Sequence, residues 1–195
     1  MNSIDITHQA PISRSEQSFV SEFVEILNSW SDELGGAHSS WGERVDYAAY
    51  RFAYAQDGTV FDPDNRAYQT DVLVYDENKD KTWIPRVIIE CKYGSMTTHD
   101  LLVYGRKADA HRSIHPYIRY GFVVGGYSGG IPCRMLSHGN SFDFLAVMPS
   151  DHNGMGELKN VIATELNASR SLWSAYRHRR LPTGTKLIHR PLVMA

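Results

Sequence analysis

The sequence predicts a mixed α/β (α+β) domain in which a central mixed β-sheet is flanked by helices. Three observations carry that prediction: β-branched runs such as "VIIECK" that read as buried strands, an amphipathic helical pattern towards each end of the chain, and a further helical stretch between two strand patterns. At 195 residues, with 42% hydrophobic and 22% charged residues, the chain fits one domain, 1–195, with a core of ordinary size. The formal net charge of -2 argues against a uniformly basic coat but leaves room for a local basic patch. Cys91 and Cys133 are too few for a disulfide framework or a Cys-rich zinc site. The opening "MNSIDITHQA" lacks the basic and apolar regions of a signal peptide, and no apolar run approaches the ~18 residues of a membrane span. The expectation is a soluble, cytoplasmic protein with no membrane partner.

Taken in order, "SRSEQSFVSEFVEILNSW" is a helix: Phe19, Phe23, Leu27 and Trp30 recur at spacings of three and four, Ser13 and Glu16 stand in capping-box relation, and "ELGG" supplies the stop. Ser31 to Arg66 is polar and aromatic; "YAAYRFAYA" fits either a short strand or a helix, and "DPDN" reads as a turn. "YQTDVLVY" and "TWIPRVIIECK", joined by "DENKDK", read as a β-hairpin. "TTHDLLVYGRKADAHRSI" reads as a helix, "HPYIRYGFVVGG" and "FDFLAVMPS" as strands, and "ELKNVIATELNASRSLWSAYRHRR" as a long final helix with a basic end.

Side chains alternate along a strand, so Asp71 shares a face with Leu73 and Tyr75, and Glu90 shares one with Lys92. Pairing the two strands would gather Asp71, Glu90 and Lys92 into one cluster. Magnesium takes oxygen ligands, keeps several waters, and is held by one or two carboxylates together with substrate phosphate oxygens. Asp71 and Glu90 suit that role, with the backbone carbonyl of Cys91 as a third donor. Lys92 beside them would favour an ionised attacking water and offset charge on phosphorus, so the expected chemistry is phosphodiester hydrolysis. The bland alternative is a surface ion pair on the solvent face of a sheet, because a bare E-x-K arises by chance.

Asp71, followed after eighteen residues by Glu90-Cys91-Lys92 at the end of an apolar strand, resembles the PD-(D/E)XK nuclease superfamily. The element order is also similar to that family's α-β-β-β-α-β core, over roughly Ser13 to Val124. The resemblance implies a restriction-endonuclease-like fold and a Mg²⁺-dependent (or Mn²⁺-dependent) endodeoxyribonuclease that leaves 5'-phosphate and 3'-hydroxyl ends. It implies DNA as partner and a homodimer if the target is palindromic. Asp71, Glu90 and Lys92 would be catalytic, and Asp71, Glu90 and Cys91 would hold metal. The residues beyond the minimal core tilt the expectation to a type II restriction endonuclease over a Holliday-junction or repair nuclease. Thr70 stands where the family motif often has proline. A literal Pro63-Asp64 competes with Asp71 but falls in the expected turn. Family members often carry an acid on the first helix, and Glu16 is either that acid or a capping-box partner.

Candidate phosphate contacts are Arg106, Lys107, Arg112, Arg177, Arg179 and Arg180, in two basic stretches with interleaved aromatics; for each alone, a solvated helix face is the simpler reading. "GYSGG" contains a formal G-x-S-x-G at Ser128, which raises a serine hydrolase with Asp143 or Asp151 and His178 or His189, provided that a helix starts directly after the serine. "DHNG" at Asp151 to Gly154 reads as a turn. A non-catalytic DNA-binding or protein-interaction module is the remaining alternative.

Overall fold

The computed structural model describes residues 15–149 and 154–179 together with Leu181. Among these the order is α1 (Glu16–Ser29), β1 (His38–Ser40), β2 (Arg44–Tyr54), β3 (Val60–Gln69), β4 (Val72–Glu77), β5 (Trp83–Tyr93), α2 (Thr98–Ile114), β6 (Arg119–Gly125), α3 (Cys133–His138), β7 (Phe144–Met148) and α4 (Met155–His178). Strands β1, β4, β5, β6 and β7 lie in that order in one mixed sheet, antiparallel from β1 to β5 and parallel from β5 to β7. The α+β class with a helix-flanked mixed sheet is therefore as expected. Strands β2 and β3 leave that sheet and pair only with each other, as a separate ribbon. Without them the chain runs α1-β1-β4-β5-α2-β6. No helix among the described residues is long and apolar enough to cross a membrane.

Strand β5 sits in the middle of the sheet, and its "VII" run is wholly buried because helices cover both faces. On one face Val72, Val74, Val87, Ile89 and Cys91 pack under Phe19, Phe23 and Leu27 of α1 and Leu158, Ile162 and Leu166 of α4. On the other, Leu73, Ile88 and Tyr120 pack under Ala108 of α2, and Phe122 and Val124 under Leu101 and Met135. The odd–even alternation expected of the hairpin holds, and it assigns Glu90 to the α2 face.

Two local expectations are corrected and one open alternative is resolved. Helix α1 is capped by Ser15, whose hydroxyl accepts from the Ser18 amide at 3.1 Å; Glu16 is the first helical residue, and Ser13 lies outside the described residues. "DPDN" is not a turn but part of β3, where Asp64 stands opposite Tyr50; the turn is the "AQDGT" before it, closed by Ala55 N–H to the Thr59 carbonyl and Gly58 N–H to the Ala55 carbonyl. The fit of "YAAYRFAYA" to either a strand or a helix resolves as strand. Alternation fails across this ribbon because bulges interrupt it, which is why its sequence looked irregular. Helix α2 opens with a capping box between Thr97 and Asp100.

Candidate active site

Cross-strand register sets the site. Val72 pairs with Ile89, so Asp71, immediately before β4, comes up beside Glu90 and Cys91. One Asp71 carboxylate oxygen accepts from the Cys91 amide at 2.8 Å, which pins the side chain against the neighbouring strand. Thr70 holds the approach: its amide and hydroxyl both donate to the Glu43 carbonyl, at 2.9 and 3.0 Å, an arrangement a proline could not make for want of an N–H.

Glu90 is fully buried beneath α2. Tyr120 donates its hydroxyl to one carboxylate oxygen at 2.8 Å, and the Lys107 ammonium donates to both at 3.1 and 3.2 Å. Lys107 also reaches the Gln69 carbonyl at 3.3 Å, at the end of β3. Burial and the adjacent Asp71 charge push the Glu90 carboxyl up to about 7, even though Lys107 pulls the other way. A second negative charge at this position thus demands a nearby cation.

Lys92 follows on the same face of β5. Its ammonium lies 3.2 and 3.4 Å from the Glu16 carboxylate oxygens and 5.5 Å from the centre of the Tyr104 ring. Burial opposes the charged form, but the interactions with Tyr104 and Glu16 outweigh it and hold the amine above its ordinary value. Lys92 is an ammonium at any neutral pH. The two readings of Glu16 separate here: it takes no part in the cap and instead spans from α1 to Lys92. Burial pushes the Tyr104 hydroxyl up to about 12, so Tyr104 stays protonated beside the lysine.

Glu16, Gln17, Val20 and Ser21 form one wall of an open cleft of about 500 Å³, and Trp41, Gly42, Gln69, Thr70, Asp71 and Lys107 complete it. Among the described residues no group of three or more His, Cys, Asp and Glu side chains gathers to hold a metal. What the cluster offers is two carboxylates side by side, the hard-oxygen set that suits magnesium completed by water and phosphate. A carboxyl pushed up to about 7 by burial and by its acidic neighbour is the electrostatic counterpart of that fit. Cys91 contributes its amide to Asp71, while its thiol lies on the opposite face, where burial pushes it up.

The other expected residues scatter. Lys107 belongs to the acidic cluster. Arg106 is exposed on the same helix. Arg112 is committed to the Ser141 carbonyl at 2.6 Å and to Asp143 at 2.7 Å, tying α2 to the segment before β7. Arg177 and Arg179 lie past Trp173, which stacks under Arg86 at the start of β5, so they stand at the opposite end of the sheet from Glu90. Arg180, Asp151 and His189 lie outside the described residues. Asp64 forms a 3.1 Å pair with Arg66 on the ribbon and takes no part in the cluster. Ser128 does not sit on a strand-turn-helix elbow: α3 opens only at Cys133, after Pro132, and Asp143 is held by Arg112 and Arg119.

Sequence reasoning missed the pairing of Lys107 with Glu90 and the parts played by Tyr104 and Tyr120. The signal was present in α2, where Leu101, Tyr104, Ala108 and His111 mark the inner stripe and Lys107 flanks it. No family model matches the chain, and no curated protein matches it.

Proposed function

We propose that the chain is a metal-dependent phosphodiester hydrolase acting on DNA, an endonuclease of the PD-(D/E)XK type. The observation that carries the reading is the juxtaposition of Asp71 and the buried Glu90 across the β4–β5 pair, with Lys92 two residues on and Asp71 opening onto the cleft. The order α-β-β-β-α-β that remains once the ribbon is set aside supports it further.

Asp71 and Glu90, with the Cys91 carbonyl, would hold Mg²⁺ or Mn²⁺, and the bound ion supplies positive charge against the phosphate oxygens. The remaining work falls to the chain's own residues. Lys92, held protonated, is no general base; it donates hydrogen bonds, orienting a water and offsetting charge that grows on the phosphate. Glu16 fixes the direction of that ammonium from α1. Lys107 favours the ionised form of Glu90 against its burial, and Tyr120 donates a hydrogen bond to the carboxylate.

The test is incubation of purified protein with plasmid, linear duplex and branched DNA, with and without Mg²⁺, beside Asp71→Asn and Lys92→Ala. The reading expects Mg²⁺-dependent cleavage that both substitutions abolish. Cleavage indifferent to both, or none across the panel, would sink it.

A further inference from the structure

The β2–β3 ribbon springs from the rim of the cleft: Gln69, its last residue, lines the cleft and pairs with Arg44, its first. Strands of 11 and 10 residues give it a length of roughly 30 Å. Isolated two-stranded ribbons are marginal in water, so one that carries large apolar side chains outward has a use for them. Phe52 is 64% exposed, Tyr54 62% and Phe61 77%.

The aromatic residues are arranged in a row. Lys107, at Glu90, has its ammonium 5.9 Å from the Tyr68 ring centre. Tyr68 stacks on Tyr47 with centroids 3.8 Å apart and planes 12° from parallel. Two residues back along β3, Arg66 lies 5.0 Å over Tyr50, and Tyr50 meets Phe52 at 6.0 Å. The register jumps fall at the same places. Asp46 pairs with Ala67 and Ala48 with Arg66; Arg51 pairs with Pro63 and Ala53 with Asp62; Ala53 pairs with Asp62 and Tyr54 with Val60. The residues left over in those three bulges are Tyr47, Phe52 and Phe61. A bulge re-aims the side chain it carries, and here each carries an aromatic ring. Trp41, 54% exposed, stands at the root of the ribbon in the cleft wall.

We propose that this ribbon is a stacking platform for unpaired nucleotides of the substrate, leading a single strand along Phe52, Tyr50 and Tyr47 to the cleft that Asp71 and Lys107 line. The inference rests on the nuclease reading for its substrate class and goes beyond it in naming unpaired nucleic acid. Two features favour nucleotides over a second copy of the chain: the inner ring pair, Tyr47 on Tyr68, stands beside Lys107 of the cleft wall, and a guanidinium lies over the Tyr50 ring. Asp64 pairs with Arg66, so the ribbon attracts phosphate weakly and its affinity comes from ring faces.

The experiment measures binding of labelled oligothymidine, and of a blunt duplex of equal length, to the full chain in EDTA by fluorescence anisotropy. Binding is then compared with Phe52→Ala/Phe61→Ala and with Phe52→Trp, after checking by circular dichroism that each folds. Exposed rings can be removed without opening the core. The expected result is a loss of about tenfold or more in single-strand affinity for the double alanine variant, with little change for duplex, retention by Phe52→Trp, and a loss that stays constant as salt is raised. Unchanged single-strand binding, or equal losses on both probes, would overturn the inference. So would a shift from dimer to monomer in sedimentation with binding intact, which would make the ribbon an interface between copies. Because binding is read without metal, a failure of Mg²⁺-dependent cleavage would count against the nuclease reading and leave this result standing by itself.

Discussion

The Lys107 ammonium lies 3.1 and 3.2 Å from the two oxygens of Glu90, a carboxylate with no exposed surface. That pair joins α2 to the central strand at the point where a divalent cation would have to enter. Removing one partner of a buried pair strands the other, at a cost of about 3–5 kcal/mol for full burial and less here because Lys107 borders the cleft. Lys107→Met should therefore lower stability in EDTA by roughly 2–3 kcal/mol at pH 8. If the lysine and Mg²⁺ compete for Glu90, added Mg²⁺ should restore the variant by more than it stabilises the parent. Urea unfolding with and without Mg²⁺ reads both; equal Mg²⁺ effects on the two proteins would show that the lysine and the metal do not share the carboxylate.

Glu90 gives the metal-free protein a pH signature whose sign follows from its shift. With the unfolded value at 4.5 and the folded value pushed up to about 7, the native state binds more protons than the unfolded state in between. The stability linked to this group is therefore complete below 4.5 and is lost as pH rises towards 7. Glu90→Gln cannot titrate, so its stability relative to the parent should climb between pH 4.5 and 7, by roughly 3 kcal/mol in all, and level off above. Urea midpoints across that range, in EDTA, check the slope; a flat difference would mean that Glu90 keeps an ordinary carboxyl.

Much of this site was legible from pattern alone, for a physical reason. The alternation of a buried strand assigns each side chain to a face, so Asp71, Glu90 and Lys92 could be brought together before any coordinates. The same logic fails where alternation fails. In the ribbon, three bulges break the period of two, and "DPDN", rich in turn-forming residues, lies in a strand. Helical partners were harder still: whether Lys107 pairs with Glu90 or reaches into solvent depends on how α2 is rotated on the sheet, and the apolar stripe fixes that rotation too loosely to decide for a flanking residue. The competing readings of Glu16 turned on a cap one turn earlier, which Ser15 takes over.

Lys92 and Glu16 make a prediction about division of labour. If Lys92 acts through its charge at the reacting phosphate, Lys92→Ala should lower kcat by a factor on the order of 10²–10³ with KM little changed, as for removal of a donor to developing charge. Glu16→Gln leaves the ammonium in place but loosens its aim, so its loss in kcat should be smaller, and the Lys92→Ala/Glu16→Gln double variant should be no worse than Lys92→Ala alone. Single-turnover cleavage of a plasmid resolves the three. Additive losses would separate Glu16 from Lys92 and give it a task of its own.

The reach of Glu16 depends on a glycine in a different strand. A Cβ built on Gly125, at the end of β6, would sit 2.4 Å from the Phe19 ring, and Phe19 lies on α1 one turn beyond Glu16. The bare backbone at Gly125 is what lets α1 descend onto the sheet end, where Phe19 also packs 5.7 Å from Tyr93. Gly125→Ala should push the helix outward, costing about 1–3 kcal/mol through overpacking and drawing Glu16 away from Lys92. Its activity should then fall to the level of Glu16→Gln while Asp71 and Glu90 are untouched. Phe19→Leu, which gives up the clashing ring edge, should return part of the lost stability to Gly125→Ala although it costs stability in the parent. A double-mutant cycle in urea measures that coupling, and strictly additive effects would show that Gly125 does not set the seat of α1.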